Sequence, residues 1–237
     1  MPIEPEGVPG MRLPFEAMDL EGEVVFDGGD LTASWLLAGY RAGIFPMPQT
    51  CPPPKGCSHL YWYSPTERGL IPIEGWRPSR SLAKRMRRWE TRIDTAFEEV
   101  LVGCARFDQE DGKWLTPQFA DAYRELHRLG WAHSIEAWTS DGELAGGVLG
   151  VEVGGLFAGD TMVTFQRDGS KAALAGLIGL LADGGPGRIL DTQWLTPHLA
   201  SLGGIEVARR EYHRLLTPAL TLPPLLSPQP TPGVGGG

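Results

Sequence analysis

Asp191 and Gln193 are separated by one residue in the run I-L-D-T-Q at 189–193. The apolar start of that run reads as a strand, and alternate residues of a strand share a face. A carboxylate and a carboxamide then stand side by side, an arrangement able to hold and orient a nucleophile. These two are the candidate catalytic residues. The plainer reading is an exposed strand end or a turn cap, with His198 nearby in a structural role. Upstream, residues 154–162 read G-G-L-F-A-G-D-T-M and carry Asp160 among apolar neighbours. An unpaired carboxylate is costly to bury. Asp160 therefore either pairs with an internal Arg or Lys or waits for a cationic ligand.

A second group of residues suits a polyanion. Seven basic residues and one acid, Glu90, lie between Arg77 and Arg92. Read as a helix over 79–89, the segment puts Leu82, Met86 and Trp89 on one side and Arg80, Lys84, Arg87 and Arg88 on the other. Charge runs are usually solvated faces, but this one stands out in a chain of net charge −8 and pI near 5.2. Contact with RNA or phosphate is the sharper reading. Trp62, Tyr63, Trp114 and Phe157 are either core aromatics or platforms for an unpaired base; for Phe157 the core is favoured.

Other chemistries lack support. Cys51, Cys57 and His59 have a C-x5-C-x-H spacing that matches no common zinc site, so no metal is expected. There is no phosphate-binding G-x-x-x-x-G-K-S/T loop and no G-x-S-x-G elbow. Three cysteines, no basic-then-apolar leader and no apolar run long enough for a bilayer point to a cytoplasmic protein without a membrane role.

The elements that must position these residues follow from periodicity. A short helix is expected through residue 40, opened by Asp30 or Thr32, with a turn over 41–48 and extended chain at 61–65 and 71–73. Helices are expected over 95–105, 117–129, 170–182 and 206–216. Strands are expected over 133–139, 143–153, 156–165 and 188–194, the first three as a meander turning at Ser140-Asp141-Gly142 and Gly154-Gly155. The fold class is α+β, with a small N-terminal domain over 21–75 and a larger domain over 76–216 around a mostly antiparallel sheet. Residues 1–20 and 217–237, rich in Pro and Gly, are expected to be disordered.

The motifs, in order, resemble the leucyl/phenylalanyl-tRNA–protein transferases from about residue 28 to 216. They include G-G-D-L-T (28–32), Y-R-A-G-I-F-P (40–46), W-Y-S-P (62–65) with Arg68, S-R-S-L (79–82) and A-F-E-E-V (96–100). W-L-T (114–116), A-Y-R-E-L-H (122–127), A-H-S-I-E-A-W (132–138), S-K-A-A-L (170–174), D-T-Q (191–193) and H-L-A-S-L-G (198–203) follow. Three motifs depart from the family's usual pattern: Met47 stands for Trp, Tyr63 replaces the second Trp of W-W-S-P, and Asp160-Thr161 stand for Glu-Ser.

The resemblance implies a GNAT-like acyltransferase domain without metal or coenzyme. It implies transfer of Leu or Phe, with Met as a third donor side chain, from aminoacyl-tRNA to proteins with N-terminal Arg or Lys, marking them for degradation. The basic helix would meet the acceptor stem, and Trp62 or Tyr63 with Trp114 would hold the terminal adenosine. Val148, Phe157, Met162, Leu177 and Leu190 would line the pocket for the transferred side chain. Asp160 would face the acceptor's cationic residue. Asp191 would orient Gln193, whose carbonyl accepts a hydrogen bond from the attacking amine. The protein is expected to act as a monomer. An acetyl-CoA enzyme is the competing class, disfavoured because Gln166-Arg167-Asp168-Gly169 is a poor pyrophosphate loop. A non-catalytic binder of aminoacyl-tRNA or basic N-termini is the other.

Overall fold

The computed structural model describes residues 1–7, 22–50, 58–105 and 114–226. The Cys51/Cys57 loop therefore lies outside the described residues, as do 8–21 and 227–237.

The N-terminal part is a three-stranded antiparallel sheet, β1 (Val24–Asp27), β3 (Ser58–Tyr63) and β2 (Phe45–Thr50) in that spatial order, with α1 (Ala33–Arg41) packed beside it. Thr32 caps α1 through its side chain, which accepts from Trp35 N–H. Gly43, at φ 73°, turns the chain into β2. The turn expected over 41–48 is strand from Phe45 onward, despite Pro46 and Pro48. The prolines are tolerated because β2 is an edge strand whose outer side needs no donors.

The larger sheet has seven strands in the order β10 (Ile205–Ala208), β4 (Glu67–Ile71), β9 (Ile189–Gln193), β8 (Leu156–Thr164), β7 (Leu144–Val153), β6 (Ala132–Thr139) and β5 (Trp89–Ile93). All neighbours are antiparallel except β8 and β9. The fold is α+β with a mostly antiparallel sheet, and the layout is compatible with the GNAT-like expectation. Residues 67–71 sit in this sheet, although the boundary expected near 75 leaves them in the N-terminal domain.

Helices cover both faces. One core joins Leu36, Leu37 and Tyr40 of α1 to Val100 and Leu101 of α3 (Phe97–Ala105) and to Phe119, Tyr123 and Leu126 of α4 (Pro117–Arg128). It thus unites the two sheets. On the opposite face, α5 (Gly169–Asp183) packs Ala173, Leu174, Leu177 and Leu181 against Ile135, Val148, Phe157 and Leu190. The A-H-S-I-E-A-W segment is structural. Buried Glu136 accepts from Ala96 N–H at 2.7 Å, capping α3, and from Ser134 Oγ (2.7 Å) and Trp138 Nε1 (2.9 Å).

Three element expectations are corrected. The basic helix α2 spans only Arg80–Met86, and Trp89 opens strand β5. The final helix begins at Arg209, not 206; residues 205–208 form edge strand β10 before α7 (Arg209–Ala219). The expected loose ends also pack where they are described. Ile3 N–H donates to Leu129 O at 2.8 Å, and Trp131 Nε1 donates to Ile3 O at 2.7 Å. Leu226 is buried, and the main-chain N–H groups of Leu225 and Leu226 donate to Glu152 at 2.8 and 2.9 Å.

Candidate active site

Two interruptions of the sheet build the site. In β8, Gly150 pairs with Gly159 and Leu149 with Thr161, so Asp160 is the extra residue of a bulge. In β9, Leu70 pairs with Asp191 and Gly69 with Gln193, leaving Thr192 out of register. Beyond that slip, Gln193 takes a left-handed φ of 61°, strain of the kind that gathers at functional sites. Gly69 has to be glycine here, because a Cβ would lie 2.7 Å from Leu195 N and 2.8 Å from Trp194 C. The parallel pair β8/β9 runs only to Ala158 and Asp191. Beyond it the strands part around a cavity of about 310 Å³.

Asp191 is fully buried and anchors one wall. Its Oδ1 and Oδ2 accept from Arg68 Nε (2.8 Å) and Nη2 (2.6 Å), a bidentate pair. Tyr212 Oη donates to Oδ2 at 2.7 Å, and Gln193 N–H donates to Oδ1 at 2.9 Å. Burial alone pulls the Arg68 guanidinium down, but Asp191 and Tyr212 more than offset it, and Arg68 stays above its ordinary value. Arg68 also donates to Gly43 O at 3.1 Å and sits over the rings of Tyr212 and Phe45 (4.4 and 4.8 Å). Asp191 thus holds Gln193 through its main chain. The Gln193 carboxamide points the other way, its Nε2 donating to Asp160 Oδ1 at 3.1 Å. Asp160 Oδ2 accepts from Tyr123 Oη at 2.6 Å, and Tyr123 is 3.0 Å from Tyr40 Oη. Burial, aided by the charge of Asp191, pushes the Asp160 carboxyl up to about 7, against the hydrogen bonds of Tyr123 and Tyr40.

Phe45, Met47, Trp114, Val148, Met162, Leu174, Leu190 and Trp194 make the walls largely apolar, while Asp160, Thr192 and Gln193 add polar groups. A sequence model described as leucyl/phenylalanyl-tRNA protein transferase matches residues 70–217, and one for the N-terminal domain of the same proteins matches 29–66. Curated proteins named leucyl/phenylalanyl-tRNA–protein transferase align closely. That of a Ruegeria species is 45% identical over 195 residues, covering 81% of this chain and 89% of the relative. That of Herpetosiphon aurantiacus is 44% identical over 193 residues, covering 80% and 95%. One from Cereibacter sphaeroides is 46% identical over 193 residues, covering 80% and 86%. The chain belongs to the leucyl/phenylalanyl-tRNA–protein transferase family. It is accordingly an aminoacyltransferase.

In this transferase the structure brings Asp160, Gln193, Val148, Met162, Leu190 and Trp114 to one cavity, with Asp191 directly behind it. Phe157 and Leu177 are corrections. Both are fully buried in the core behind the cavity, and Leu174 lines it instead. Trp62 is also a correction: its ring is buried against Trp35 and its Nε1 donates to Gly28 O at 3.0 Å, so no face is open to a base. Tyr63 is half-buried and packs edge-on against Trp194, which lines the cavity. Arg80, Lys84, Arg87 and Arg88 are all exposed, while Arg85 turns back to pair with Asp168 at 3.3 Å. Just before α2, Trp76 donates to Leu202 O beside α6 (Pro197–Ser201), the helix that adds His198 and Leu199 to the cavity rim.

Sequence reasoning gave no role to Tyr212, nor to Tyr40, Tyr123 and Arg68. The last three stood inside or beside the motifs already singled out, and that was their only signal. Among the described residues no His/Cys/Asp/Glu group is placed to hold a metal ion, and no helix is long and apolar enough to cross a membrane.

Proposed function

We propose that the enzyme transfers Leu or Phe, with Met as a third donor side chain, from aminoacyl-tRNA to the α-amine of proteins beginning with Arg or Lys, marking them for degradation. We further propose that it works as a cytoplasmic monomer. The observation that carries the reading is the apolar cavity ending on the Gln193 carboxamide and the Asp160 carboxylate. The walls suit an uncharged side chain. With its Nε2 engaged by Asp160, Gln193 turns Oε1 towards an incoming amine as acceptor. Asp160 meets the positive charge of the acceptor's N-terminal residue. Ester aminolysis is downhill, so holding ester and amine together supplies much of the rate.

A coenzyme A site at the start of α5 is poorly supported. Asp168 sits at the cap position, paired with Arg85 and Lys171 (3.3 and 3.5 Å), and so sets a negative charge where an anionic pyrophosphate would have to lie. Incubation with leucyl-tRNA and an Arg-starting peptide, in EDTA and without coenzyme A, tests the reading. Full transfer is expected. Strict dependence on metal or coenzyme, or tRNA binding without transfer, refutes it.

The exposed basic residues of α2 and of Arg87-Arg88 just after it, with Trp114 and Tyr63 near the cavity, are the proposed tRNA contact. Replacing Arg80, Lys84, Arg87 and Arg88 with Ala is expected to weaken tRNA binding. It should also flatten the log–log salt dependence by about 0.7–0.9 for each phosphate no longer neutralised. Titrations at several salt concentrations measure this, and an unchanged slope returns the segment to ordinary solvated surface.

A further inference from the structure

We propose that Asp160 is the proton acceptor for the attacking α-ammonium, a role that rests on the transfer reaction proposed above. The β8 bulge turns this one carboxylate into the cavity, against the Gln193 carboxamide. Gln193 Oε1 lies one carboxamide width beyond the Nε2 that Asp160 holds. A single nitrogen can therefore touch both Gln193 Oε1 and Asp160 Oδ1. The first acceptor fixes its direction, and the second takes its proton.

The surroundings suit this work. The groups facing Asp160 are Tyr40 of α1, Tyr123 of α4, Gln193 and Asp191 of β9, and Arg68 of β4. Its two oxygens are bonded by neutral donors, Tyr123 and Gln193, and the Arg68 guanidinium is committed to Asp191. An α-amine has an ordinary pKa of about 7.7–8.0, so at neutral pH most acceptors arrive as unreactive ammonium. An ordinary aspartate is about four pH units too acidic to take that proton readily. Burial brings Asp160 up to about 7, within about one unit of the amine.

The step balances. The ammonium gives one proton to the Asp160 carboxylate, and the nitrogen lone pair forms the C–N bond at the ester carbonyl. The C–O bond to the tRNA ribose breaks, and the ribose oxygen leaves with a second proton from the same nitrogen. Asp160 then returns its proton to water entering the emptied cavity. Ammonium and ester become amide, hydroxyl and one released proton.

The test compares two acceptor peptides identical except at the N-terminus, one carrying the α-amine and the other an α-aminooxy group. The second is a far weaker base and is neutral at the assay pH. At pH 7, Asp160→Asn is expected to slow transfer to the amine peptide about 10²-fold and to the aminooxy peptide only slightly. Raising the pH should restore the amine rate. An equal deficit with both peptides overturns the proposal, because a carboxylate that reads only the side-chain cation, which both peptides carry, or that shapes the cavity does not discriminate them. Tyr123→Phe gives an independent check. Its hydrogen bond favours the carboxylate, so its loss should move the acid limb of the pH–rate profile upward; an unmoved limb also overturns the assignment. If the wild-type protein transfers to neither peptide, the parent reading fails, an outcome distinct from transfer with equal deficits.

Discussion

Gln193→Ala is expected to lower kcat about 10²-fold, the scale of losing one positioned hydrogen-bonding group at a reacting centre, while tRNA affinity stays at the wild-type level. The carboxamide belongs to the cavity and not to the basic segment that carries the proposed phosphate contacts. Its Nε2 is spent on Asp160, and the residue lines the cavity. The main-chain N–H that Asp191 holds survives the substitution. Gln193→Gly separates chemistry from strain. Both variants lack the carboxamide and should be equally slow, but glycine accepts a φ of 61° without the ~1–2 kcal/mol that a side chain costs there. The Gly variant should therefore be the more stable of the two, apart from its greater chain entropy when unfolded. Single-turnover rates with charged tRNA, read beside chemical denaturation, decide it. Wild-type turnover in either variant removes Gln193 from the reaction.

Much of this site could be read from spacing, but the way it is assembled could not. The i, i+2 spacing of Asp191 and Gln193 and the isolation of Asp160 among apolar residues marked all three. Their geometry comes from two bulges, however, and a bulge leaves no period in the sequence. Strict alternation would make Gln193 and Asp191 side-chain neighbours. Instead they meet through a main-chain N–H, and the Gln193 side chain reaches the other carboxylate. Arg68, Tyr40, Tyr123 and Tyr212 converge from β4, α1, α4 and α7, and contacts between such distant segments have no local signature.

The same contrast holds for the fold. Helices α3, α4 and α5 and the meander β6–β8 show their apolar periods plainly. Strand β2 hides behind Pro46 and Pro48, β5 behind the charges of Glu90 and Arg92, and β10 behind its largely exposed edge position. Phe157 and Leu177 were placed on the cavity by the family resemblance alone, whereas the residues themselves favoured the core for Phe157, where it lies. Sequence could not say which layer of a two-deep apolar wall Leu177 would occupy.

Arg68→Met is expected to destabilise the protein by about 3–5 kcal/mol, the cost of leaving one partner of a buried ion pair alone. Arg68 is 1% exposed and Asp191 0%. In the variant the Asp191 carboxylate keeps only the Tyr212 hydroxyl and the Gln193 N–H, and the Gly43 carbonyl loses its donor. Asp191→Asn should also cost stability, since it leaves the Arg68 guanidinium buried against a neutral amide. Its loss of kcat will thus mix a weakened scaffold with a misplaced Gln193. The double variant Arg68→Met/Asp191→Leu discriminates pair from scaffold. Replacing both charges with apolar groups of similar size should recover most of the lost stability, because no charge then remains to be solvated in the core. Activity should not return, because Gln193 N–H no longer has the carboxylate that fixes its left-handed turn. Denaturation midpoints for the two single variants and the double variant close the cycle. If Arg68→Met lies within about 1 kcal/mol of wild type, the range of ordinary surface ion pairs, this pair is not the anchor of the site. If the double variant is stable and fully active, Asp191 does not position Gln193.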